Sequence, residues 1–253
     1  MCFAADSQPP ISPIAGAAVD GTLITLDAAD GNTFSVYHAR PATPGAARML
    51  VLPDVRGLFH YYEELALRFA EAGIEALAID YFGRTAGLGS RDGAFEYVPH
   101  VGQTTWAGLS ADIRAAVARL RWDDADARVF VVGFCFGGRL AFDSGSLGLG
   151  LAGAIGFYGV PIGPRGDIPA PVDIAGKLTS PVLGLFGGAD GAIPETSIAA
   201  YENAMTSAGV IHELVTYPDA PHSFFDRKAD QFADASADSW GRILDFLARH
   251  SDT

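Results

Sequence analysis

Only two cysteines, Cys2 and Cys135, occur among the 253 residues of this chain. One isolated pair makes no disulfide framework, and the compartment it predicts is a reducing cytoplasm. Basic residues are also scarce: 17 Lys and Arg stand against 30 Asp and Glu, a net charge of -13. That surface argues against nucleic acid and anionic membranes as partners. It leaves anionic small molecules open, because a few arginines suffice for a local positive pocket. No run of the roughly 18 apolar residues needed for a transmembrane helix occurs. The opening segment MCFAADSQPPISPIAGAAVDG has neither a basic n-region nor a long apolar stretch, so no secretory signal is expected. Cys2 follows the initiator directly, with no upstream signal to make it a lipoprotein cysteine.

What is present is a soluble globular composition, 49% hydrophobic and 19% charged. The length suits one α/β domain over 1–253, with prolines 9, 10 and 13 predicting an extended arm over residues 1–20. Thr22–Asp27 and Thr33–His38 read as a hairpin. Short apolar strands then alternate with helical periods. Strands are predicted at Arg48–Leu52, Ile74–Asp80, Arg128–Gly133, Ala152–Tyr158, Pro181–Phe186 and His212–Tyr217. Helices are predicted at Tyr61–Ala72, Trp106–Arg121, from Phe136 onward, Pro194–Ala208 and Gln231–Arg249. Tyr81–Thr105 and Val160–Lys177 read as loops, the first long enough to suggest a pocket wall or lid. This alternation predicts a mostly parallel sheet with helices on both faces. Neither an internal repeat nor a second domain is evident.

Gly133-Phe134-Cys135-Phe136-Gly137-Gly138 joins a predicted strand to a predicted helix, the setting of a nucleophile elbow. Small residues are needed two positions either side of the nucleophile, because the strand turns sharply into the helix. A thiol at a helix N-terminus sees the positive end of the dipole, which favours the thiolate. The Phe136 N–H is placed to meet an oxyanion formed by attack of Cys135 on a carbonyl. Competing readings are a buried cysteine acting as a small hydrophobe and a phosphate-binding turn. The second lacks Gly-x-Gly-x-x-Gly spacing and lies mid-chain.

A nucleophile needs a base, and the base an orienting acid. Downstream of Cys135 the histidines are His212 in a predicted strand, His250 near the chain end, and His222 in the loop after the last strand. The order nucleophile, acid, histidine favours His222, with Asp190, just after the Pro181–Phe186 strand, as the acid. Asp219 is the alternative acid, less able to reach the ring from within the same loop.

At this point the chain resembles the dienelactone hydrolase family of the α/β-hydrolase superfamily. The resemblance is carried by LPDVRGL (Leu52–Leu58), IDYFGR (Ile79–Arg84), GFCFGG (Gly133–Gly138), GFYG (Gly156–Gly159), GGAD (Gly187–Asp190) and APHSF (Ala220–Phe224). It implies an α/β-hydrolase fold and carboxymethylenebutenolidase-type hydrolysis of a small ester or lactone. It further implies a Cys135–Asp190–His222 triad, an acyl-thioester intermediate, and neither metal nor organic cofactor. Asp54 stands where well-known members carry a glutamate that activates the thiol, and aspartate is one methylene shorter. The Val55 N–H would be the second oxyanion donor beside that of Phe136. The family binds its substrate carboxylate with two arginines. Arg84 matches the first; Asp226 occupies the second position, with Arg227 displaced by one and Arg56 a candidate to supply the missing charge. Tyr158 either lines the pocket or packs in the core.

Three other readings compete. One is a general carboxylesterase with a different substrate. Another is a non-catalytic binding or sensing protein on a hydrolase scaffold. The last is a redox thiol, disfavoured because no second cysteine lies nearby in sequence to resolve an oxidised Cys135.

Overall fold

A computed structural model describes residues 7–14, 17, 19–89, 91 and 94–251. Residues 7–14 carry neither helix nor strand, and the Ile14 N–H donates to Glu71 at 3.0 Å, tying this stretch to the body. The rest of the expected arm lies partly outside the described residues, as does Cys2, and its last two positions belong to the first strand.

The strands are β1 (Val19–Asp27), β2 (Thr33–Pro41), β3 (Ala47–Leu52), β4 (Glu75–Ile79), β5 (Arg128–Phe134), β6 (Gly153–Phe157), β7 (Val182–Gly187) and β8 (His212–Tyr217). They form one sheet in the order β1-β2-β4-β3-β5-β6-β7-β8. β1 and β2 form the expected hairpin, β2 runs antiparallel to β4, and every pairing from β4 to β8 is parallel. The longer helices are α1 (His60–Glu71), α4 (Trp106–Leu120), α5 (Phe136–Ser144), α7 (Glu195–Ala208) and α8 (Ala233–Ser251). Three short ones, α2 (Gly83–Ala86), α3 (Tyr97–Val101) and α6 (Pro171–Ile174), lie inside stretches expected to be loop. The reason is physical: four or five residues hold barely one turn, too little for an apolar period to show. Pro194 is the N-cap of α7, one position earlier than expected.

Alternate residues of each central strand face two different hydrophobic clusters. Met49, Val51, Ala76, Ala78, Phe130 and Val132 join Leu65 and Phe69 of α1 and Phe246 of α8. Leu50, Leu52, Leu77, Ile79, Val129 and Val131 join Leu109, Ile113 and Val117 of α4. A sheet covered on both faces has no polar side, which is why these strands read as unbroken apolar runs. After β3 the chain adds β4 on one side of it and then β5 on the other. The crevice at the carboxyl ends of β3 and β5 is therefore the topological switch point, where open α/β sheets bind ligands. The ends of β3 and β5 are Leu52, two residues before Asp54, and Phe134, immediately before Cys135.

Candidate active site

Cys135 caps α5 with φ 56° and ψ −109°, a conformation a non-glycine residue rarely holds. Such strain costs on the order of 1–3 kcal/mol and persists only where the surroundings enforce it. Here two glycines do so. A side chain at Gly133 would collide with the Gly137 carbonyl, and one at Gly137 with the carbonyls of Leu52 and Pro53. Their absence lets the first turn of α5 lie against the end of β3, bringing the Pro53–Arg56 loop beside the thiol. Two tyrosines hold that loop. The Tyr81 hydroxyl donates to the Pro53 carbonyl at 2.8 Å, and the Asp54 N–H donates to the Tyr62 oxygen at 3.0 Å. The first N–H groups of a helix have no acceptor within it, so the Phe136 N–H is spare for a ligand. Val55 follows directly from the held residues on the other side.

His222 lies in the loop between β8 and α8, as expected. Its Nδ1 is 2.6 Å from Asp190 Oδ2, and the Cys135 side chain hydrogen-bonds the same ring. Asp190 is buried, and its other oxygen accepts the Ala192 N–H at 2.9 Å, which fixes the carboxylate. Burial alone would depress the imidazolium. The Asp190 and Cys135 hydrogen bonds and the negative charge of both partners outweigh it and lift His222 to about 10. At neutral pH the ring therefore carries a proton, between Asp190 and Cys135. The arrangement brings together a strained, partly buried thiol, a charged imidazole and an orienting carboxylate.

The remaining predicted residues fall differently. Asp54 is fully buried and accepts from the Arg56 N–H at 2.9 Å, with the Arg56 guanidinium 3.4 Å away. Asp54 and Cys135 both act electrostatically on the buried Tyr81 hydroxyl, so the two share one neighbourhood. Arg56 is thus engaged by Asp54 and lies over the Phe59 ring at 5.0 Å. Arg84 is likewise committed: it pairs with Asp30 at 2.6 Å and with the buried Asp112, and it borders a separate small hollow next to Thr85 and Gly108. The position that the resemblance singled out holds its arginine, and two acids far off in sequence pair with it. Arg227 is exposed, and its backbone N–H donates to Asp226.

Tyr158 is fully buried at φ 38°. Its ring sits 4.8 Å from that of His222, and its hydroxyl donates to Asp226 at 2.9 Å. It packs in the core under the histidine, and its polar end is spent on Asp226 instead of on an open pocket. Asp226 itself is a site residue that sequence reasoning did not select. Burial, reinforced by the charge of Asp54, raises its carboxyl to about 7 against the Arg227 N–H, the Tyr158 hydroxyl and the charge of His222. Two further residues were missed. Arg139 and Arg165 line a cavity of about 230 Å³ that opens on Cys135 and Phe136. Arg139 carried a signal, since it lies one helical turn after Cys135. Arg165 sits in a Gly-Pro-Arg-Gly turn that reads only as loop. A larger hollow of about 580 Å³ lies between the β8 end and α8, among Tyr217, Asp219 and Asp234, away from the thiol. No group of three or more His, Cys, Asp or Glu among the described residues is arranged to hold a metal ion, and no helix is long and apolar enough to cross a membrane.

Comparison with known proteins points one way. The model of the dienelactone hydrolase family matches residues 34–251. A Salmonella typhimurium protein named "Putative carboxymethylenebutenolidase" is 30% identical over 260 residues, covering 97% of this chain and 95% of that one. A Bradyrhizobium protein named "Probable 2-oxo-3-(5-oxofuran-2-ylidene)propanoate lactonase" is 27% identical over 230 residues, 87% of this chain and 91% of its own. Among solved structures, a Klebsiella pneumoniae protein titled "Putative Dienelactone Hydrolase" superposes with a TM-score of 0.79 at 27% identity, covering 91% of this chain and 99% of that chain.

Proposed function

This chain belongs to the dienelactone hydrolase family, and on that premise we propose that Cys135 is the nucleophile of its ester- or lactone-cleaving reaction. The observation that carries the proposal is the continuous contact from Cys135 through His222 to Asp190 at the switch point of the sheet.

In this mechanism Cys135 acts as a thiolate, supported by the charged His222 ring that hydrogen-bonds its side chain. Sulfur attacks the carbonyl carbon, and the carbonyl π electrons move onto oxygen. The N–H groups of Phe136 and Val55 stabilise that oxyanion; losing one such donor typically costs about 2.7–4 kcal/mol. Collapse expels the leaving oxygen, which takes the proton from the free ring nitrogen of His222. The product of this half is an acyl thioester on Cys135. His222, now neutral, accepts a proton from water as that water attacks the thioester. Collapse of the second tetrahedral species returns the thiolate, the charged ring and a carboxylic acid. Asp190 keeps the Nδ1 proton in place throughout and so fixes the tautomer. Because the ring is already charged in the resting pair, its first task is that of an acid. Substrates with good leaving groups, such as enol lactones and aryl esters, suit a thiolate best. Asp54, neighbouring the thiol electrostatically, positions the oxyanion loop through Arg56. The narrow cavity beside the thiol suits a small ester or lactone.

The test is selective alkylation. Iodoacetamide should label Cys135 faster than Cys2, and hydrolysis of an activated aryl ester should fall in step with labelling of the Cys135 peptide. Full activity after complete modification of Cys135 would sink the proposal.

A further inference from the structure

We propose that Arg165 is the residue that takes the carboxylate of an anionic substrate, on the opposite side of Cys135 from the histidine loop. This rests on the hydrolase reading above and adds to it the charge of the substrate and the residue that selects it.

Three observations carry it. The first is placement. The cavity next to the thiol is bounded by Cys135, Phe136, Arg139, Val160, Ile162 and Arg165. The Arg165 guanidinium lies 4.7 Å over the Phe136 ring, the residue whose N–H faces the reacting carbonyl. At about 230 Å³ the cavity is smaller than the roughly 300–1,000 Å³ of drug-sized pockets, so a single lactone ring suits it. Ile162 is 41% exposed, an apolar surface at the mouth for such a ring.

The second is availability. Among the described residues Arg165 forms no ion pair, whereas Arg84 is held by Asp30 and Asp112 and Arg56 by Asp54. Arg139 lines the same cavity, but its guanidinium donates to the carbonyls of Gly163 and Pro169, each at 2.6 Å. Those bonds tether the loop that presents Arg165. Arg139 is thus the positioning residue, and Arg165 offers the charge.

The third is exclusion from the other side. Asp54, Asp190 and Asp226 are all buried around the histidine loop and the oxyanion loop. The cations on that side, Arg56 and His222, are engaged by Asp54 and Asp190, and a substrate carboxylate would have to compete with those acids for them. The Val160–Arg165 side is the one that accepts it.

A pair of alkylating probes tests this without requiring turnover. Iodoacetate and iodoacetamide both react by forming an S–C bond at Cys135 and expelling iodide, but only the first brings a carboxylate. The rate constants are read at low salt from the Cys135 peptide in the full chain. Replacing the exposed Arg165 by Gln should lower the iodoacetate-to-iodoacetamide ratio by about three- to fivefold, the effect of one solvent-exposed charge pair. Arg165→Lys should keep most of the ratio, and Arg84→Gln should leave it within twofold. The same split is expected in hydrolysis, as a fall in kcat/KM for dienelactone relative to its methyl ester. A ratio unmoved by Arg165→Gln, or one moved equally by Arg84→Gln, overturns the proposal while leaving the hydrolase reading intact. A ratio that falls in a protein hydrolysing neither ester nor lactone would uphold the Arg165 site and defeat the hydrolase reading.

Discussion

The two sides of Cys135 are built in opposite ways. On the histidine side, three buried carboxylates, Asp54, Asp190 and Asp226, each have a fixed hydrogen-bond partner. On the other side, two arginines line the cavity; Arg139 is bonded to the loop carbonyls and Arg165 rests only on an aromatic ring. The difference teaches a division of labour. Groups that set protonation states are buried and fully partnered, because their geometry must not vary. A group that recognises a ligand keeps its charge unspent and its surface open.

The comparison breaks most sharply at the sulfur. Cys135→Ala should cut kcat for an activated ester by at least about 10⁴-fold, as loss of a nucleophile does in other triads; a variant with substantial activity would place the nucleophile elsewhere. Asp190→Asn should lower kcat by about 10³–10⁴-fold with KM little changed, since it releases the ring without moving the substrate. Steady-state kinetics on the same ester separate the two parameters.

The acid side also predicts pH behaviour. His222 is raised from 6.5 to about 10 in the folded chain. Its partners therefore contribute stability in full below about pH 6.5, and that contribution is lost as pH rises through 10. The difference in denaturant midpoint between wild type and His222→Gln should shrink across that window, and kcat/KM should fall on an alkaline limb near pH 10. Asp226 shifts the same way from a lower start, from 3.8 to about 7. Ionising it costs native stability as pH climbs from about 4 through 7. Asp226→Asn, which keeps an acceptor for Tyr158, should flatten that decline and raise Tm at pH 8 by a few degrees. A Tm lowered at pH 8 would show that Asp226 is needed in its charged form.

The smallest effect sharpens the cationic side. Arg84→Gln should alter turnover of dienelactone less than twofold, while lowering Tm, because Asp112 is left buried without its cation. A large rise in KM would instead return Arg84 to the substrate.

How legible this was in the sequence depends on how local each feature is. β8 at His212–Tyr217, the half-buried edge strand, coincides with its expected span, and β3 to β7 agree within a residue or two, since each is an apolar run buried on both faces. The Cys135 elbow is equally local: its glycines, strand and helix all lie within a dozen residues. Asp190 and His222 could be picked from chain order because the fold delivers each from the end of a strand. Arginine roles were not legible. The partners of Arg84 are 54 and 28 residues away, and only the folded chain shows that its charge is spent. Asp226 looked like a mere departure from a pattern, and its burial beneath Tyr158 depends on residues 68 positions apart. Arg165 had no period or motif to mark it, because a loop gives a side chain direction only through what it packs against.

The central claim is that an acyl group resides on Cys135 during turnover. Mixing the protein with a slowly released aryl ester, quenching in acid and reading peptide masses tests it most directly. The account predicts that the Cys135 peptide gains the mass of the acyl group, and that the gain is absent after prior alkylation of the thiol. Product burst with an unmodified Cys135 peptide, or with the acyl mass on another residue, would contradict it.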